Sequence, residues 1–206
     1  NVVGATFARR RLGHDAVGLA IIGDGGTSTG DFHEAINIAS VRKIPVLFFI
    51  ENNQWAYSTP NSLQFNCDDL SKRSAGYGIE GKRIKAVDVS YVADEVGQIV
   101  DEIRTSGEPF ILQTDTYRLS GHAAYDTADY VPAADLKRWR EEDPVPIARG
   151  LAVELSSEDA VATLEREVDE LVASESNKAL QAKKIEFQNV GWEAYPSSVA
   201  DRRLPE

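Results

Sequence analysis

Two apolar runs, residues 17–22 (Val-Gly-Leu-Ala-Ile-Ile) and 46–50 (Val-Leu-Phe-Phe-Ile), bracket a segment of helical periodicity, and this arrangement constrains the fold more than any other feature of the chain. Short, wholly apolar runs bounded by turn residues predict buried strands. Between them, residues 31–42 predict a crossover helix with Asp31 as its N-cap and Glu34 three positions on, as in a capping box. Phe32, Ala35, Ile36 and Ala39 share the apolar face of that helix. Strand, helix and strand form a unit with parallel strands and a right-handed crossover. The expected class is therefore α/β, an open and mainly parallel sheet with helices on both faces.

Each run leads into a polar loop: Gly23-Asp24-Gly25-Gly26 after the first and Glu51-Asn52-Asn53 after the second. Ligands of open parallel sheets lie beyond the carboxyl ends of the strands, where Asp24 and Asn53 would both fall. Magnesium takes hard oxygen donors and shares phosphate oxygens with its substrate or cofactor, so one carboxylate and one amide oxygen suit a magnesium-bound diphosphate. Gly23, Gly25 and Gly26 let the backbone turn sharply and approach an anion, and the helix near Asp31 would turn its positive end toward it. A lone Gly-Asp-Gly is ordinarily a turn. Here Asp24 and Asn53 stand about 30 residues apart, the length of one βαβ unit, which favours a shared site.

The stretch from Gly23 to Ala35, followed by Glu51-Asn52-Asn53-Gln54-Trp55-Ala56-Tyr57-Ser58-Thr59-Pro60, resembles the thiamine diphosphate motif of the alpha subunit of 2-oxoacid dehydrogenase decarboxylating components. Thr116-Tyr117-Arg118-Leu119-Ser120-Gly121-His122 is similar to that family's Tyr-Arg-x-x-Gly-His loop, and residues 139–145 resemble the family's next segment. The resemblance implies magnesium ligands in Asp24, Asn53 and the backbone carbonyl of Trp55. It implies cofactor contacts from Gly23, Gly25, Gly26, Arg118 and His122, with His122 also catalytic. The implied activity is oxidative decarboxylation of a 2-oxoacid, a branched-chain one favoured by Gln54 to Thr59, with acyl transfer to the lipoyl group of a partner component. The implied partners are a beta subunit, in a heterotetramer, and the lipoyl acyltransferase. Pyruvate and acetoin enzymes, or a noncatalytic remnant that binds partners, are the alternatives.

The sequence departs from the family pattern after His122, where Ala123 stands at the position of a phosphorylatable serine and Ser120 alters the loop. The first residues match the interior of the family's sequence, which predicts a fragment, a processed piece or part of a split protein. His14 and His33 read as structural, in a turn and a helix respectively.

A formal charge of −11 argues against nucleic acid as a partner. No run of the sequence has the length of a membrane span and no signal sequence leads it, so a cytoplasmic location, or a mitochondrial matrix one in a eukaryote, is expected. The single Cys67 excludes an intrachain disulfide.

Downstream, residues 84–89 and 110–114 predict two further strands, joined by an amphipathic helix at 91–106 whose stripe of Val92, Val96, Ile99, Val100 and Ile103 is core. Gly76, Gly78 and Gly81 mark a tight connection. Helices are expected at 133–142, 147–154 and 157–187, the last capped by Ser156 with Asp159. Its stripe of Leu164, Val168, Leu171 and Val172 is expected to pack back on the domain, with sharing by a partner subunit as the alternative, and the tail 192–206 to be docked. These elements divide the chain into an α/β domain, 1–142, and a helical extension, 143–206.

Overall fold

The computed structural model describes residues 1–183. The chain divides into two compact units, Asn1–Ala152 and Val153–Glu206. The first holds helix α1 (Val2–Arg11), strand β1 (Gly18–Gly23), helix α2 (Gly30–Arg42), strand β2 (Val46–Asn52), a small hairpin of β3 (Trp55–Ala56) and β4 (Thr59–Pro60), the short helix α3 (Ser74–Tyr77), strand β5 (Glu80–Lys85), helix α4 (Val89–Ser106), strand β6 (Phe110–Asp115) and helix α5 (Ala133–Arg140). Helix α6 (Pro144–Leu155) carries the boundary, and α7 (Glu158–Gln181) lies in the second unit.

Four strands form one parallel sheet in the order β1-β2-β6-β5. Side chains alternate along a strand, and in β2 this splits the core in two. Val46, Phe48 and Ile50 join Phe32, Ile36 and Ala39 of α2 on one face. On the other face Leu47 joins Ile99 and Ile103 of α4, together with Phe110 and Leu112 of β6. The two crossover helices therefore cover opposite faces, as expected of a doubly wound sheet. The loops after β1, β2 and β6 emerge at one carboxyl edge.

Several boundaries differ from the sequence expectations for identifiable reasons. Helix α2 begins at Gly30 and is preceded by extended Thr29, so Asp31 sits in the first turn and no capping box forms with Glu34. Its carboxylate still complements the helix dipole there. Strand β5 spans Glu80–Lys85 rather than 84–89, because its register is set by pairing with β6, Glu80 opposite Phe110 through Lys85 opposite Asp115. Only Ile84 of this edge strand is buried, which leaves little apolar signal in Glu-Gly-Lys-Arg-Ile-Lys. Asp88 instead caps α4, its carboxylate accepting from the Ser90 and Tyr91 amides. The α4 stripe is core, as its periodicity predicts.

The glycine-rich connection is a helix end: Gly78 takes left-handed φ 67° after α3. At Gly81 a Cβ would stand 2.5 Å from the Ser71 carbonyl oxygen. Helix α1 has no counterpart among the sequence predictions. It lies against β1, where a Cβ on Gly18 would meet Thr6 Oγ1 at 2.2 Å.

Helix α6 starts at Pro144, three residues earlier than predicted. Prolines at the first positions forfeit only amides that have no intrahelical partner, and Asp143 Oδ1 accepts from Val145 N–H at 2.9 Å. Helix α7 is capped by Ser157, whose side chain accepts from the Ala160 amide, rather than by Ser156, and it ends at Gln181 rather than 187. Its Leu164, Val168, Leu171 and Val172 are exposed rather than packed in a core. The tail 192–206 lies outside the described residues. Among the described residues no helix is long and apolar enough to cross a membrane.

Candidate functional site

The carboxyl edge of β1 and β2 brings Asp24 and Asn53 together. Gly23 pairs with Glu51 in register, and the next amide, Asp24 N–H, donates to the Glu51 carbonyl at 3.3 Å. Asn53 N–H also donates to Glu51 O, at 3.1 Å, and it lies against the Asp24 carboxylate. Asp24 is 1% exposed, and burial raises its carboxyl above the ordinary aspartate range, opposed by hydrogen bonds from Gln64, its own backbone and Asn53, and by the more distant charge of Arg118. A buried carboxylate with no ion-pair partner among the described residues calls for a cation or a proton.

The two adjacent asparagines have different work. Asn52, the last residue of β2, is 4% exposed: its Nδ2 donates to Asp115 Oδ1 at 3.2 Å and its Oδ1 accepts from Asn61 Nδ2 at 2.7 Å. It ties β2 to β6 and to the segment after the hairpin. Asn53 lies just past the strand, and its Oδ1 accepts from the Trp55 amide at 3.0 Å. That bond sets the turn carrying the Trp55 carbonyl.

The glycines divide likewise. A Cβ on Gly25 would stand 2.5 Å from the Ala56 methyl, and one on Gly26 would stand 2.6 Å from Ile22 Cγ1, whereas Gly23 has open space. None of the three takes a positive φ. Gly25 and Gly26 are required by close approach, not by turn conformation, and residues Gly25–Ser28 form a 3-10 turn between β1 and α2. Helix α2 itself begins at Gly30, so its positive end stands within a residue of where the sequence places it, just after this turn.

The segment after β6 runs beside the β2 loop. Thr116 N–H donates to Asn52 O at 3.0 Å and Arg118 N–H to Asn53 O at 3.4 Å. The Arg118 guanidinium donates through Nε to Ser120 O at 3.0 Å and through Nη2 to Tyr57 O at 2.8 Å and Tyr130 Oη at 2.5 Å. Tyr130 donates to Asp126 Oδ2 at 2.7 Å, and the same oxygen accepts from the His122 amide at 2.7 Å. These bonds lower the Asp126 carboxyl, chiefly through the His122 backbone bond and then the Tyr130 hydroxyl. Gly121 is indispensable here, since a Cβ would stand 1.9 Å from Asp126 O. The His122 ring is exposed and meets Tyr57 edge to face, with centroids 4.9 Å apart. Trp55 donates through Nε1 to Tyr117 Oη at 3.1 Å and packs on Tyr130.

Asp24, Gly25, Gly26, Asn53, Trp55 and Arg118 are thus one neighbourhood, with His122 on its rim through Tyr57. His33 is elsewhere, its Nδ1 hydrogen-bonded to the Tyr77 hydroxyl. Three residues carry structural roles here that the sequence reading does not assign. Gln64 reaches Asp24, Asn52 closes the strand end, and Gln113 accepts through Oε1 from Leu70 N–H at 2.6 Å and donates through Nε2 to Asp115 Oδ1 at 2.7 Å. A glutamine inside the apolar run of β6 was a legible signal for the last.

The donor set of one carboxylate, one amide oxygen and one backbone carbonyl suits a hard cation that completes its shell with phosphate and water. No group of three or more His, Cys, Asp or Glu side chains that could hold a metal occurs among the described residues. Among the described residues, two buried polar atoms beside these donors, Gln64 Oε1 and Arg118 Nη1, have no partner. One is an acceptor and the other a cationic donor, a pairing suited to a hydrated metal and an anion.

Comparison with known proteins gives the family of the chain. Residues 1–188 match the family described as dehydrogenase E1 component. The 3-methyl-2-oxobutanoate dehydrogenase subunit alpha of Mycobacterium tuberculosis is 37% identical over 147 residues, 71% of this chain and 40% of that protein. The pyruvate dehydrogenase E1 component subunit alpha of Rhizobium meliloti is 33% identical over 179 residues, 85% and 51% of the two chains. A mitochondrial 2-oxoisovalerate dehydrogenase subunit alpha of Arabidopsis thaliana is 35% identical over 149 residues, 72% and 32%. The chain belongs to the dehydrogenase E1 component family, among the alpha subunits of 2-oxoacid dehydrogenases. It spans about half, or less, of the length of these relatives.

Proposed function

We propose that this chain supplies the diphosphate-holding half of a thiamine diphosphate-dependent 2-oxoacid dehydrogenase, working with a beta subunit in a heterotetramer and passing its acyl product to a lipoyl acyltransferase component. The observation that carries the reading is the convergence of Asp24 and Asn53 at the ends of adjacent parallel strands, with Gly25 and Gly26 between them and the hairpin. Asp24, the Asn53 amide oxygen and the Trp55 carbonyl would hold magnesium, and the Gly25-Gly26 backbone would line the diphosphate. Bound thiamine diphosphate supplies the nucleophilic carbon and the electron sink for loss of carbon dioxide.

The protein's own groups orient and neutralise. Asp24 balances the cation, and Arg118 adds positive charge while holding the 118–130 loop. His122, fixed through its backbone to Asp126, presents an exposed imidazole able to hold or move a proton during acyl transfer. A branched-chain 2-oxoacid is favoured by the segment Gln54 to Thr59, and the 37% identity to the mycobacterial alpha subunit supports that choice.

Titration calorimetry of the chain assembled with its beta subunit tests the reading. Thiamine diphosphate should bind with magnesium and not in its absence, and Asp24→Ala should abolish that dependence. Equal binding with and without the metal, or none under either condition, would overturn it. Turnover with 3-methyl-2-oxobutanoate against pyruvate then ranks the substrates.

A further inference from the structure

Gln64 follows the hairpin, just beyond a single 3-10 turn at Asn61–Leu63. Its Nε2 donates to Asp24 Oδ2 at 2.9 Å and to the Thr59 carbonyl at 3.0 Å. Both partners are pure acceptors when Asp24 is ionised, and an amide nitrogen has two hydrogens to give them. The orientation of the amide is therefore determined: the reverse would set Oε1 against a carboxylate and a carbonyl. With Nε2 so committed, Oε1 is buried without a donor among the described residues. It stands 3.2 Å from the place a Cβ on Gly25 would occupy, at the loop assigned to the diphosphate.

A buried amide oxygen with no donor is costly and calls for an explanation. A diphosphate has no hydrogen to offer it. Magnesium dehydrates reluctantly and keeps water among its ligands, and such a water, polarised by the ion, is a strong donor.

We propose that Gln64 is an outer-sphere positioning residue of the metal site, its amide nitrogen fixing the Asp24 carboxylate and its amide oxygen accepting a hydrogen bond from a metal-bound water. The inference rests on the magnesium reading and deepens it. One side chain then sets both the orientation of a protein ligand and that of a solvent ligand, and it couples the hairpin to the ion.

The test uses Mn²⁺ in place of magnesium, followed by electron paramagnetic resonance in the assembled protein with saturating thiamine diphosphate. Gln64→Leu removes donor and acceptor and should weaken Mn²⁺ binding by about 10- to 100-fold, the usual loss when an outer-sphere partner is removed. Gln64→Glu keeps the acceptor and loses the donor, and should stay within about tenfold of the wild type, tighter than the leucine variant. Melting of the metal-free proteins, measured in parallel, reports any purely structural damage. Unchanged Mn²⁺ affinity in Gln64→Leu, or equal losses in both variants, overturns the proposal while leaving the magnesium reading standing. Failure of the wild type itself to bind Mn²⁺ defeats the magnesium reading, and this inference with it.

Discussion

The strand ends that carry Asp24 and Asn53 and the loop that carries His122 are neighbours built on opposite plans. At the strand ends, position comes from the sheet: register with β2 fixes Gly23, the apolar clusters on both faces fix β2, and the polar residues lie where the strands stop. The 118–130 loop has no buried apolar residue before Val131. It is held by a relay of polar bonds from Arg118 through Tyr130 and Asp126 to the His122 amide. A site part that must bear a fixed charge is carried by packed scaffold, and a part presented at the rim is stapled by groups that pH and single substitutions can release.

The sharpest way to break this contrast is at Asp24. Asp24→Ala should lower metal-dependent cofactor affinity by about 100-fold or more, the loss of roughly 3 kcal/mol on removing one partner of a buried charged interaction, read by calorimetry. Metal-free Asp24→Asn should be no less stable than the wild type near neutral pH. The sign comes from burial: a carboxyl raised in the fold stabilises when protonated, and that contribution fades as pH rises through its folded value. A wild type that loses stability on acidification, with Asp24→Asn abolishing the loss, would contradict the raised carboxyl.

Asn52→Ala should cost about 1–3 kcal/mol in denaturant unfolding, because the Asn61 amide and the Asp115 carboxylate lose a buried partner. Gly121→Ala should act more locally. The 1.9 Å clash forces the loop apart, so amide exchange near His122 should rise while the midpoint of global unfolding moves little. An unchanged exchange pattern would show that the loop has room the structure denies it.

The smallest effect is the pH response of the same loop. Asp126 is lowered, so its contribution is complete above the ordinary aspartate range, near pH 4, and is lost as pH falls through its folded value. Line widths of the His122 amide should therefore broaden in acid, and Asp126→Asn should show the broadened state at neutral pH. The strand-end amides of Glu51 and Asn52 should not respond.

The same contrast governs how legible each region is in the sequence. The βαβ unit could be read because β1 and β2 are apolar runs with polar loops at their ends, and strand ends propagate directly into site positions. Strand β5 was misplaced because an edge strand with one buried residue leaves almost no pattern, and its bounds are chosen by pairing with β6. The pair Asn52-Asn53 was visible, but the separate work of Asn52 depends on Asn61 and Asp115, which are distant in sequence. Gln64 was invisible for the same reason: it reaches Asp24 only because the hairpin doubles the chain back. In the second unit the sequence reading puts the cap at Ser156, and the extended backbone at Ser157, whose side chain reaches the Ala160 amide, moves it one residue on.

The contact between Gly25 and the Ala56 methyl has a consequence for how this protein can vary. The two positions share one fixed volume, so enlarging either requires shrinking the other, and their substitutions should be strongly non-additive. Gly25→Ala alone drives two methyl carbons together. Paired with Ala56→Gly, the 2.5 Å contact disappears and the Gln64 oxygen at 3.2 Å and the Ala56 Cα position at 3.6 Å remain, so the exchange restores most but not all of the original fit.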